Sequence, residues 1–161
     1  MQVRITDGGD LRRLSRDLRK FKDGKELNKA FVKEVREEAK KVQKEVRAGY
    51  RSAPAWGGEY HRPGGSLRSM LARATTLKVR ISRKPIVAIG VRGDKMPDGM
   101  RGLPKAYEGV TRWRHPVFGT NAWVGQSGRP VFTRIVPKSK RKVEKAVGKV
   151  AEKHARRIAR G

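Results

Sequence analysis

The residues able to do acid–base, nucleophilic or metal chemistry are few in this chain and stand far apart. There is no cysteine, and the three histidines are His61, His115 and His154. Their separations match no metal-ligand spacing, and no acidic cluster accompanies them. His115, wedged before Pro116, reads as a structural histidine. Between Arg51 and Pro137 the carboxylates are Glu59, Asp94, Asp98 and Glu108, too sparse to suggest a pair sharing general-acid and general-base roles. Ser66 and Ser69 have no evident base partner. Neither a phosphate-loop pattern nor a nucleophile elbow occurs. Arg92-Gly93-Asp94 spells the integrin-ligand tripeptide and reads here as a turn. An enzyme is not expected, and no catalytic residue, metal ligand or cofactor is assigned. The one enzymatic reading left open is a basic ribonuclease-like toxin using His115 or His61, because spacing does not exclude a site assembled in space.

The abundant chemistry is positive charge. The 161 residues carry 41 Lys and Arg against 15 Asp and Glu, a net charge of +26. Such an excess repels itself and implies a counter-charged partner, either nucleic acid or an acidic protein surface. From Lys138 to the end, ten Lys or Arg face two glutamates, Glu144 and Glu152, a local excess of +8. Lys138, Lys140, Arg141, Lys142, Arg156 and Arg157 are the candidate contacts to DNA or an acidic partner. Contacts of this kind meet phosphates rather than bases and weaken with salt. The sequence has no zinc ligands, aromatic ribonucleoprotein motif or helix-turn-helix pattern to read bases with. The start, MQVRITDGGDLRRL, lacks the apolar core of a signal peptide, and no apolar run approaches membrane-spanning length. A soluble protein made in the cytoplasm, with no membrane partner, is expected.

The elements that must position these residues read as α+β. One domain with its own core is expected at this length. Val3 and Ile5 suggest a short strand, and Asp10 can cap a helix carrying Leu11, Leu14, Leu18 and Phe21. After Asp23-Gly24 a longer helix is expected, with Leu27, Phe31, Val35, Ala39, Val42 and Val46 in one stripe and an end at Gly49. Its Lys- and Glu-rich faces read as solvated and internally paired. Tyr50 to Gly65 reads as an extended loop whose Trp56 and Tyr60 are candidates for a contact arm. Ser66 opens a helical turn or a strand entry. Leu77 to Val91 reads as an antiparallel hairpin through Lys84-Pro85, and Gly93 to Gly102 as a turn-rich loop. The last helix is expected from about Ser139 to Ala159, beyond Pro137, with Val143, Val147, Val150, Ala151 and Ile158 buried. The expected architecture is therefore amphipathic N-terminal helices and a C-terminal helix packed on a small, mostly antiparallel sheet.

Trp113 to Phe132 holds two of the three Trp and two of the four Phe of the chain, broken by Pro116, Gly119-Thr120-Asn121 and Gly128-Arg129-Pro130. Ala122 to Gln126 and Pro130 to Val136 have the β-branched and aromatic content of strands. This is the segment that the other elements are expected to pack around or to present outward. Trp113, His115, Phe118 and Trp123 join Trp56 and Tyr60 as candidate interface residues.

The order of motifs resembles a family of small neck proteins of long-tailed bacteriophages, the head–tail joining or tail-completion type. The likeness rests on Gly65-Ser66-Leu67-Arg68-Ser69-Met70, Ala106-Tyr107-Glu108-Gly109 and His115-Pro116-Val117-Phe118-Gly119, followed by Trp123-Val124 and Arg129-Pro130-Val131-Phe132. It covers nearly the whole chain, and the His-Pro-Val-Phe-Gly element with its later Trp-Val and Pro-x-Phe is the most distinctive part. The resemblance implies a structural virion protein without catalysis, forming a homo-oligomeric ring, a hexamer in such necks. The ring would join the head-side connector or stopper to the tail terminator or tail tube around the channel for double-stranded DNA. The rival reading from another class is a free basic protein that binds nucleic acid through the phosphate backbone.

Overall fold

The computed structural model describes residues 2–4, 13, 16–17, 20, 24–54, 65–80, 86–109, 112–116 and 121–159, with the side chains of 2–4, 113, 115–116, 124 and 158 outside the description. Two long helices dominate. Helix α1, Gly24–Ser52, has 29 residues, and buries Phe31, Val35, Ala39, Val42, Val46 and Tyr50 along one stripe. Those positions recur every three or four residues, the spacing that keeps side chains on one helical face. Leu27 is only partly covered. Burying a side chain of this size contributes about 2 kcal/mol. The charged flank pairs with itself, as the sequence suggested: Lys40 reaches Glu37 and Lys41 reaches Glu38, each at 2.7 Å.

Helix α1 does not end at Gly49. A Cβ there would come 2.7 Å from Ile135 Cδ1 and 2.8 Å from Val131 Cγ1, so the missing side chain lets the later long helix pack close against α1. The helix runs on through Tyr50, Arg51 and Ser52, which shortens the expected loop from its start. The rest of that loop, residues 55–64, lies outside the described residues. So do Leu11, Leu14, Leu18 and Phe21 of the expected first helix, although Arg13, Arg16 and Asp17 are helical.

Helix α2, Leu67–Ala74, resolves the ambiguity after Ser66 in favour of a helix, with the Ser66 hydroxyl accepting from the Ser69 amide at its N-terminus. It passes directly into strand β2, Thr75–Arg80. The junction is pinned from α1, where Gln43 and Arg47 both donate to the Thr75 carbonyl at 2.9 Å. Strand β3, Ile86–Val91, pairs antiparallel with β2, placing Leu77 opposite Ile89 and Val79 opposite Val87. This is the pairing that the alternation of Leu77 and Val79 implied, and the expected connection through Lys84-Pro85 lies outside the described residues. Strand β1, Gln2–Arg4, adds to the other edge of β3, giving the order β1-β3-β2. The unbroken apolar run of β3 suits this central place, where every residue after Ile86 is buried.

Gly93–Lys95 forms a single 3-10 turn, and helix α3 follows at Leu103–Glu108. Strands β4, Arg112–Pro116, and β5, Trp123–Ser127, then pair antiparallel as a second sheet of their own. The described strands thus fall into a three-stranded sheet and this separate ribbon. The last helix, α4, is Phe132–Ala159, 28 residues long with Pro137 inside it. Pro130 to Val136 is therefore not a strand, and the helix does not wait for Ser139. It runs antiparallel to α1, since Ser139 meets Glu45 and His154 meets Glu34. Phe132, Val136, Val143 and Val147 complete the core, with Val150 and Ala151 partly covered at its edge. The architecture is α+β, with helices packed on a small antiparallel sheet.

Candidate functional site

The described candidate residues lie on two elements, the β4–β5 ribbon and α4, and α3 holds both. The Tyr107 carbonyl of α3 accepts from the Arg129 amide at 2.5 Å, fastening the end of the ribbon. Gly128, one residue earlier, lies so near α3 that a Cβ would meet the Gly109 carbonyl oxygen at 1.6 Å. Only glycine fits this approach. Glu108 then fixes the start of α4. Its carboxylate accepts from the Phe132 amide at 2.9 Å, the Thr133 amide at 3.1 Å and the Thr133 hydroxyl at 3.0 Å. The Tyr50 phenol donates to the same carboxylate at 2.5 Å from α1. The first amides of a helix have no partner within it and favour negative charge, so a carboxylate brought in from elsewhere serves as its cap. This cap explains why α4 starts seven residues before Ser139. Burial, then the neighbouring Glu108, pushes the Tyr50 phenol up, so it stays a donor throughout the ordinary pH range. Burial also raises Tyr107, whose phenolic oxygen has no hydrogen-bond partner among the described residues.

The two strands of the ribbon pack chiefly on each other, and among the described aromatic side chains of the stretch Trp123 keeps 57% of its surface exposed while Phe132 is buried at 1%. Of the two, Trp123 is thus presented outward and Phe132 belongs to the core. Trp113 and His115 lie on β4, opposite Gln126 and Val124. Their side chains, and Trp56, Tyr60 and Phe118 entirely, fall outside the described residues.

Helix α4 sorts the candidate cations by face. Arg134, Lys138, Arg141, Lys145 and Lys149 recur at intervals of three or four residues opposite the buried stripe. All five are exposed, and none forms an ion pair among the described residues. Lys140 instead sits on a flank, 3.8 Å from Glu144, and Lys142 lies on the other flank. Arg156 reaches Glu152 at 3.9 Å, and Arg157 is exposed near the end of the helix. Lys138 and Arg141 are the two sequence-level candidates on the unbroken stripe.

His154 belongs to the seam between the long helices. It is 2% exposed, stacks edge-on against Phe31 with ring centroids 5.5 Å apart, and meets Glu34 through Nε2 at 3.3 Å. Lys153 also donates to both oxygens of Glu34 at 3.1 Å. Partial burial raises the Glu34 carboxyl, but hydrogen bonding and charge from Lys153, with His154, together hold it below its ordinary value. Arg92 and Asp94 of the integrin-like tripeptide pair with each other on the surface around the 3-10 turn. No group of three His, Cys, Asp or Glu among the described residues is placed to hold a metal ion. No described helix is long and apolar enough to cross a membrane.

Sequence reasoning missed Glu108, Tyr50 and Gly128 as the fastening of both surfaces, and Arg134, Lys145 and Lys149 as members of the stripe. The stripe had a signal, its spacing of three and four: Lys145 and Lys149 follow Arg141 at that spacing within the expected helix, and only Arg134 lies ahead of its expected start at Ser139. The cap had none, since Glu108 precedes the two amides it serves by 24 and 25 residues. Comparison of the chain with protein-family models, curated proteins and solved structures finds no match.

Proposed function

We propose that the chain is a structural protein of the bacteriophage neck, a subunit of a homo-oligomeric ring joining the head-side connector to the tail around the DNA channel. The observation that supports this reading is the ribbon. The motif on which the family resemblance chiefly rests, His115-Pro116 with the later Trp123-Val124, occupies a two-stranded arm with Trp123 exposed and its base locked onto α3. A large aromatic on a preorganised, outlying element is what a subunit contact needs. Such residues supply most of the energy of an interface, and ordering costs little when the arm is already fixed. The open edges of a two-stranded ribbon also favour cover by a neighbour. Trp56 and Tyr60 act on this reading as a second arm toward an adjacent protein.

Trp123→Ala tests the arm. Trp123 is outside the core, so the variant keeps the thermal transition of the parent chain. In complementation of a phage lacking the gene, it lowers the yield of joined particles at least about tenfold. Parent-like yield with this variant contradicts the arm.

A further inference from the structure

We infer that the outer face of α4 is a docking surface for the phosphate backbone of nucleic acid, engaged without regard to base sequence. Arg134, Lys138, Arg141, Lys145 and Lys149 form one exposed line on a continuous helix. At 1.5 Å per residue the line covers about 22 Å, with a cation every 5 to 6 Å or so. Duplex DNA presents a phosphate roughly every 1.7 Å of its axis, so such a line finds partners in many registers.

Three further observations favour this occupant. The first is the absence of neutralisation on the line itself: Glu144, the single carboxylate between residues 134 and 149, sits on the flank with Lys140 at 3.8 Å. Helix α1 differs, because five glutamates lie among its cations between Lys25 and Arg47, and Lys40 and Lys41 are each held at 2.7 Å by one. The second is rigidity. The opposite side of α4 is buried against α1 and its N-terminus is locked by Glu108, so the cations sit on a fixed scaffold. The third is composition. Residues 134–149 contain no Asn, Gln or aromatic side chain. Lys and Arg alone can grip phosphates, while base reading by Asn or Gln and stacking on aromatics are both missing from this face. A regular polyanion suits an uninterrupted line of charge better than an acidic protein with scattered carboxylates. Binding is a property of the single chain and does not depend on the ring reading.

The test is fluorescence anisotropy of a labelled mixed-sequence duplex of about 20 base pairs, long enough to span the line, titrated with the purified full chain over a series of salt concentrations. Five phosphate contacts give a log–log salt slope of about −4 to −5. The variant Lys138→Gln/Arg141→Gln/Lys145→Gln/Lys149→Gln loses about 3 to 4 units of that slope, roughly one per cation. The control Lys25→Gln/Lys29→Gln/Lys33→Gln/Lys44→Gln removes the same charge from exposed positions of α1 and shifts the slope by less than about 1. Arg141→Gln/Lys145→Gln, at the centre of the line, loses about 2 units and carries the test alone should the fourfold variant not fold. Equal weakening by the fourfold variant and its control would show bulk charge at work and overturn the proposal. So would competition by polyglutamate as effective as by unlabelled duplex, which would make the face a site for acidic protein. Parent-like binding by the central double variant overturns it as well.

Discussion

At the residue scale, Glu108 is the side chain that ties the molecule together. It is 6% exposed, yet it answers four donors from two other helices. Removing it leaves buried amide and phenol donors without an acceptor, and an unsatisfied buried donor costs more than the net worth of the bond it made. Glu108→Ala is expected to destabilise the fold by about 3 kcal/mol, read from the urea midpoint at unchanged slope. Tyr50→Phe removes one bond while the other three remain, and is expected to cost about 1 kcal/mol. A Glu108 variant with parent stability would mean that water serves these donors and that the cap does not define where α4 begins.

At the scale of elements, the decisive case is Pro137. Proline has no amide hydrogen, so within a helix it loses the bond to the carbonyl four residues earlier, here Thr133, and it is penalised by up to about 3 kcal/mol relative to alanine. Because α4 starts at Phe132, Pro137→Ala is expected to raise stability by about 1 to 3 kcal/mol in thermal or urea unfolding. A neutral result would fit a helix that begins beyond the proline. The same residue shows what local pattern can and cannot reveal. The stripes of α1 and the β2–β3 pairing are written in spacings of three, four and two, and both were legible. The start of α4 was not, because local rules read proline as a boundary and the cap that overrides them comes from α3. Gly49 misled in the same way: a residue that ends helices in isolation serves here as a gap for Val131 and Ile135. The split into two sheets was hidden too, since β4 and β5 carry strand-like residues whichever sheet they join. On the functional side, Trp123 was legible as a candidate interface residue but its exposure was not, and Arg134 needed the true length of α4 before it could join the cation line.

At the scale of the whole molecule, the two candidate surfaces sit on one rigid connection. The ribbon leads through Gly128, Arg129 and Pro130 into α4, and α3 grips the chain on both sides of that passage. An arm suited to protein contact and a face suited to a polyanion are therefore set in a fixed relation by a few buried bonds. A ring subunit around packaged DNA would use both, the arm for its neighbours and the cationic face for the genome or for threading it. The net charge of +26 gives the same reason for a partner, since the isolated chain repels itself. For the proposed neck function, the most direct measurement is mass spectrometry and cryo-EM of intact phage particles produced by the source of this chain. The proposed function requires the chain in the particle, as a closed ring at the joint between head and tail, with the ribbon carrying Trp123 at the boundary between subunits. Particles that join heads to tails without containing this chain would contradict it.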